Sequence, residues 1–424
     1  MNYLKYIFTG LLAAFYIIIE SSAQDINRVR SYLDTLCSPY MSGRGYLNEG
    51  DKKAAEFIKN EFENIGIKAF KGNYFQKFKF DINTFPNRVL FKTDKKVLKP
   101  GEDYIVNCIS GPGKGKYKVE YLDTLIFTDK EVQEKFLQSS LRKKAFVYKN
   151  KDYKKLTELP LEYLQKIHES PCVIELQQKK LIMGLSQKQL SHPFFLVNEE
   201  DFDPLTEKVK IKLDAELIHN YESQNVIGYI KGKTEPDSFI IISAHYDHLG
   251  KMGKQVYFPG ANDNASGTSM LLELARYFST PANQPDYTIV FIAFGAEEAG
   301  LIGSKYYTEN PIFPLRRIKF LINLDLLGTG DDGMMVVNGA IFDKEFELLT
   351  KINEDKRYLP AIKKRGEAAN SDHYYFTEKG VPSFFFYTLG GIAAYHDILD
   401  IPETLPLTRF KEVFSLIVDF IGQL

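Results

Sequence analysis

The chain contains no tryptophan and only three cysteines among 424 residues. Cys37, Cys108 and Cys172 are too few and too scattered for a disulfide framework or a cysteine zinc site, although one pair can bridge in an oxidising compartment. An excess of either charge is also missing: 54 Lys and Arg stand against 55 Asp and Glu, a net charge of −1. No strongly basic block appears, so nucleic acid is not expected as a partner. The apolar stretch at 7–19 is cut by Glu20, short of the roughly 20 residues that span a bilayer. With Lys5 before it and Ser21, Ser22 and Ala23 after it, residues 1–23 are expected to be a secretory signal, which makes the protein exported, periplasmic or secreted. No cysteine follows the expected cleavage point to carry a lipid, and no stable membrane insertion is expected once the signal is gone.

What is present is a large apolar stock. Hydrophobic residues make up 44% of the chain, and 26 tyrosines and 32 phenylalanines supply its aromatic core. The length suits two domains, or one domain with an insertion. Ala54, Ala55, Phe57, Ile58, Phe62 and Ile65 fall at helical spacing before Gly66, which predicts a helix over 51–65. Arg44, in the loop Ser42-Gly43-Arg44-Gly45, is expected as a structural ion-pair partner. Between about 100 and 215, short apolar runs at 116–121, 124–127, 144–148, 172–176 and 209–213 alternate with lysine-rich turns. That pattern predicts a small β-rich unit with a helix or two, at 101–215, inserted into a main domain of 24–100 and 216–424.

From 222 onward the pattern changes. Strands are expected at 225–230, 238–244, 288–294, 318–324, 334–338 and 383–387, and helices at 264–278, 301–309 and 410–421. Continuous apolar strands alternating with helices predict an α/β fold, a mainly parallel mixed sheet flanked by helices on both faces. Ligands of such sheets gather outside the carboxyl ends of the strands. His245, Glu297, Glu298 and Asp325 all fall just past such ends.

These residues make a metal-ligand inventory. His245 ligates through one ring nitrogen, and Asp247, two residues on, is placed to hold the other. Asp263, between Gly260 and Gly267 and ahead of a helix, is read as a carboxylate shared by two cations rather than as a helix cap. Adjacent Glu297 and Glu298 diverge, so one ligates while the other serves as general base. Asp325 ends an apolar run, where a buried carboxylate needs a cationic partner. His396 follows Tyr395, whose phenol is able to donate to an oxyanion. His248 and His373 are left open between structural and substrate-side roles. Nitrogen and oxygen donors of this kind suit zinc, and shared carboxylates suit a two-metal hydrolytic site.

In the order His-x-Asp, Gly-Ala-Asn-Asp, Glu-Glu-Ala-Gly-Leu-x-Gly-Ser, Asn-Leu-Asp and a late His, the chain resembles the co-catalytic zinc exopeptidases that include bacterial leucyl-type aminopeptidases and glutamate carboxypeptidase, metallopeptidase family twenty-eight. The resemblance covers 222–424 well and 24–100 loosely. It implies two zinc ions per chain, one held by His245, Asp263 and His396, the other by Asp263, Glu298 and Asp325. It implies Glu297 as the general base, Tyr395 as an oxyanion donor, and a cis peptide between Asp263 and Asn264. It also implies peptide substrates and a protease-associated-like inserted domain. Removal of N-terminal residues is the expected activity. Carboxypeptidase activity stays open because Lys364 or Arg365 can receive a terminal carboxylate. The related glutaminyl cyclases depend on tryptophans that are missing here, and an inactive receptor-like relative would have lost ligands that this chain keeps. Oligomeric state is not legible.

Overall fold

The computed structural model describes residues 24–424. The expected signal at 1–23 lies outside the described residues. Two sheets carry the architecture, one of eight strands and one of seven.

The eight-stranded sheet is mixed, and its centre is parallel. Strands Tyr287–Phe294, Glu235–His245, Ile318–Leu324 and Ser383–Leu389 lie side by side in that order and run the same way. Antiparallel neighbours, among them Glu216–Ile230 and Gly333–Val337, flank this core. Alternation explains why the central strands are apolar throughout. Ile240 and Ile242 pack with helices Ile26–Leu36, Gly50–Ile65, Gly267–Ser279 and Phe410–Ile421 on one face. Ile241 packs with Tyr307 and Phe376, from helices Ile302–Glu309 and Tyr374–Glu378, on the other. Among the described residues no helix is long and apolar enough to cross a membrane.

The seven-stranded sheet runs Val89–Thr93, Lys208–Leu213, Gly113–Tyr121, Lys144–Lys149, Cys172–Gln177, Phe194–Asn198 and Tyr104–Val106. Strand Val89–Thr93 precedes the expected boundary at 101, yet it pairs antiparallel with Lys208–Leu213 and so belongs to this layer. Three helices, Lys130–Gln138, Asn150–Glu158 and Leu161–Ile167, cover it where one or two were expected. Thr124–Phe127, expected as a strand, is a short 3-10 turn because the Asp123 carboxylate caps the amide of Leu125. All three cysteines are free.

Candidate metal centre

The parallel register delivers the site. Because the four central strands run the same way, their carboxyl ends meet at one edge. His245 ends strand Glu235–His245, Glu297 and Glu298 follow Tyr287–Phe294, Asp325 follows Ile318–Leu324 and His396 follows Ser383–Leu389. Three of these exits turn through non-glycine residues with left-handed backbone: Ala296 at φ 59°, Leu326 at φ 56° and His396 at φ 52°. Such residues persist where the surroundings over-determine them, and they cluster at functional sites.

Asp263 stands at the centre, on the irregular segment Ala261–Ser266 ahead of helix Gly267–Ser279. The helix therefore starts three residues later than expected. The Asn264 side-chain oxygen accepts from the Gly267 amide at 2.9 Å, and the Asp263 carboxylate faces the cavity. The bond between Asp263 and Asn264 is cis. One Asp263 oxygen lies 3.3 Å from His245 Nε2, and the other lies 3.0 Å from His396 Nε2. His245 Nε2 is also 3.5 Å from Asp325 Oδ1, and His396 Nε2 is 3.1 Å from Glu298 Oε2. The side chains group differently from the partition that the resemblance implied. Each histidine shares its own side of Asp263 with one further carboxylate: Asp325 beside His245, Glu298 beside His396.

Glu297 and Glu298 diverge as their adjacency requires. Glu297 turns towards His245 and Asp325, with ligand atoms of all three within 4.8 Å of one another. Glu298 turns to His248, whose Nδ1 is 2.7 Å from Glu298 Oε1. His248 therefore contacts the cluster.

Asp247 differs from its expected role. The chain turns after His245, so Nδ1 of that ring faces the Asp247 backbone carbonyl at 3.2 Å, with the carboxylate 3.9 Å away. The carboxylate instead accepts from the amides of Glu297 and Glu298 and from the Tyr46 hydroxyl. It fixes the loop carrying both glutamates. Arg44 also differs, because it has no carboxylate partner. It is fully buried and donates to the carbonyls of Tyr246, Leu36, Pro259 and Gly260.

Four carboxylates, Asp263, Glu297, Glu298 and Asp325, crowd this buried space. Burial opposes protonation of His245, yet Glu297, Asp325 and Asp263 outweigh it and raise the imidazole well above its ordinary range. His396 shows the same contest and is raised to about 11 by Glu298 and Asp263. Burial lifts the Glu297 carboxyl well above its usual range, and the neighbouring carboxylates add to the effect. Asp325 Oδ1 makes no hydrogen bond among the described residues. A buried group of donors so short of positive charge, with an unpartnered carboxylate oxygen, fits divalent cations. Two imidazoles and several carboxylates suit zinc in particular.

Beside the cluster lies a cavity of about 360 Å³, lined in part by Arg365, Asn370, Tyr387 and Tyr395. The Tyr395 ring stacks on His396 at 4.0 Å between centroids. Lys364 points elsewhere and pairs with Asp343. His373 is buried against the Phe385 ring, and burial pushes it down to about 4. Sequence reasoning missed the supporting shell. Ser371 donates to Asp325 at 3.0 Å and is itself held by Asn323, which accepts from Ser243. Asp400 accepts from the amides of Asn262 and Asp263. Asp372, pushed up to about 7 by burial, acts electrostatically on Glu297. Only Ser371-Asp372-His373 had a visible signal, as a polar triplet shortly before an apolar strand.

Residues 225–421 match the family described as Peptidase family M28. Aminopeptidase YwaD of Bacillus subtilis is 34% identical over 214 residues, covering 48% of this chain and 44% of that protein. A glutamate carboxypeptidase 2 homolog of Caenorhabditis elegans is 39% identical over 126 residues, 28% of this chain and 15% of that one. The matched stretches thus span less than half the length of these relatives. The structure of BSAP, a zinc aminopeptidase from Bacillus subtilis, superposes with TM-score 0.69 at 21% identity over 94% of each chain. An aminopeptidase from Aneurinibacillus sp. strain AM-1 gives 0.65 at 21% identity, over 95% of this chain and 94% of that one. These two likenesses show a shared fold.

Proposed function

We propose that this chain, whose residues 225–421 match peptidase family M28, is a zinc-dependent exopeptidase that removes N-terminal residues from peptides. The observation that carries the reading is the convergence of His245 and His396 on the two oxygens of Asp263, with Asp325 beside the first histidine, Glu298 beside the second and Glu297 alongside. The likeness to an aminopeptidase along nearly half the chain favours the amino end of the substrate.

His245, Asp263 and Asp325 would hold one zinc, and His396, Asp263 and Glu298 the other. When bound, the ions supply Lewis acidity and lower the pKa of a water molecule towards neutrality. Glu297 then acts as general base, accepting the water's proton and delivering it to the departing amine. The Tyr395 phenol donates to the oxygen of the cleaved carbonyl, where charge develops. Asp247 keeps Glu297 and Glu298 in place through their backbone amides. The seven-stranded layer is read as a protease-associated-like insertion, and the N-terminal pattern supports export.

A second reading, carboxypeptidase, is favoured by one observation. Arg365 lines the cavity and has no ion-pair partner among the described residues. Assays with free-amine aminoacyl anilides and with N-blocked peptides separate the two, on protein whose metal content is measured alongside. Two zincs per chain with cleavage of free-amine substrates alone supports the aminopeptidase. Cleavage of N-blocked peptides alone replaces it with the carboxypeptidase, and turnover undiminished in Glu297→Gln removes the general-base assignment.

A further inference from the structure

The two metal-facing histidines are oriented by different parts of the molecule. His245 leans on its own loop, through the Asp247 carbonyl. His396 leans on the seven-stranded layer. Its Nδ1 is 2.9 Å from the Met183 carbonyl, and the Met183 amide donates back to the His396 carbonyl at 3.0 Å. Met183 lies on the connection between strands Cys172–Gln177 and Phe194–Asn198, and its side chain is anchored in the core of that layer.

The same connection grips the loop at further points. Lys180 donates to the Ala393 carbonyl at 2.7 Å and forms an ion pair with Asp397. Four contacts, at Ala393, His396 and Asp397, therefore hold residues 393–397, a stretch with no regular secondary structure of its own. A cavity of about 910 Å³ runs along this loop, lined in part by Gln177, Leu181, Ala393 and Leu399. Open space on that side leaves the connection as the loop's brace. Further along, Gln187 donates to the Ala299 carbonyl at 3.2 Å, next to Glu298. The connection thus touches the two loops that supply His396 and Glu298.

We propose that Lys180, Met183 and Gln187 of the second layer form a positioning element for the half of the metal centre formed by His396 and Glu298, so that the cation affinity of that half depends on how the second layer is seated. The inference rests on the zinc reading above. Its physical basis is orientation. A ligating imidazole whose other nitrogen is held by an acceptor has its lone pair aimed and its tautomer fixed, and loss of such a partner typically costs about 10–100-fold in metal affinity. The left-handed backbone of His396 adds to the need for a brace, since few non-glycine residues hold that conformation unaided.

The test is a zinc titration of the full-length chain against a chromophoric chelator, resolving two affinities. Lys180→Met cuts two of the ties at a partly exposed position, and Met183→Pro removes the returning amide. Each is expected to weaken one affinity by about 10-fold or more while the other stays as in wild type. Ile182→Ala, an exposed neighbour on the same connection, is expected to change neither. Thermal unfolding of the metal-free proteins reports whether each variant folds, and if Met183→Pro does not, Lys180→Met decides alone. Two unchanged affinities in folded Lys180→Met, or equal weakening of both, overturns the inference while leaving the zinc reading intact. If wild type takes up no zinc, the zinc reading fails and this inference falls with it.

Discussion

Arg44 and Asp263 meet through the backbone: the guanidinium of Arg44, with no exposed surface, reaches the Asp263 carbonyl at 3.4 Å and the Gly260 carbonyl at 2.7 Å. A charge buried in this way is acceptable because several carbonyl dipoles converge on it. It ties the N-terminal segment to the loop that aims the central carboxylate.

Replacing Arg44 therefore strands several buried carbonyls at once. Arg44→Met is expected to destabilise the fold by about 3–5 kcal/mol, and Arg44→Lys by less, because an ammonium keeps the charge and some donors although it cannot reach all the carbonyls the guanidinium serves. Denaturant midpoints measure both. A midpoint equal to wild type in Arg44→Met would contradict the bracing role.

Metal removal should weaken the protein as well as silence it. Cations that bind only the folded chain stabilise it by about 2.7 kcal/mol at a free concentration of about 100 times Kd. Exhaustive chelation is expected to lower the thermal midpoint, and zinc is expected to restore it. A midpoint indifferent to both treatments would count against a resident metal.

Tyr395 is half-exposed and lines the cavity beside His396. Tyr395→Phe keeps the ring stacked and deletes one donor. The expected result is a fall in kcat of about 100-fold with KM little changed, the signature of a contact made mainly in the transition state. A variant that alters KM alone would assign the phenol to substrate binding instead.

Two buried groups outside the site predict opposite responses to pH. His192, facing His168 at 3.1 Å, is pushed down to about 4 by burial. Its folded value lies below the unfolded one, so its contribution is present above about pH 6.5 and is lost as pH falls through about 4. His192→Gln should flatten the loss of stability over that window, and an unaltered acid limb would refute the assignment.

Asp51 behaves in the reverse sense. Burial raises it to about 6 even though Tyr221 and Ser223 donate to its oxygens. Its contribution is complete below the unfolded value near 4 and is lost as pH rises through 6. The stability of Asp51→Asn relative to wild type should therefore improve between pH 4 and pH 8. A pH-independent difference would show that the carboxyl stays ionised throughout.

The strand runs were legible because a strand buried on both faces must be apolar along its whole length, which makes a polar residue at its end conspicuous. His245, Glu297, Glu298 and Asp325 were found in this way. Strand 318–324 and helix 410–421 fall where the pattern put them. Helix Asp343–Lys356 and strand Ile362–Arg365 were missed, one because its apolar face is narrow and the other because it is a largely exposed edge strand.

The sequence by itself determined the α/β class and the residues able to ligate, since both follow from local periodicity and side-chain chemistry. Only the tertiary structure decided which residues stand together. The pairing of His245 with Asp325 and of His396 with Glu298 depends on strand order, and neither pair is near in sequence. The carbonyls of Asp247 and Met183, and those that receive Arg44, were invisible for a further reason. A backbone acceptor is present at every residue, so only its position in space distinguishes the one that holds a histidine from the rest.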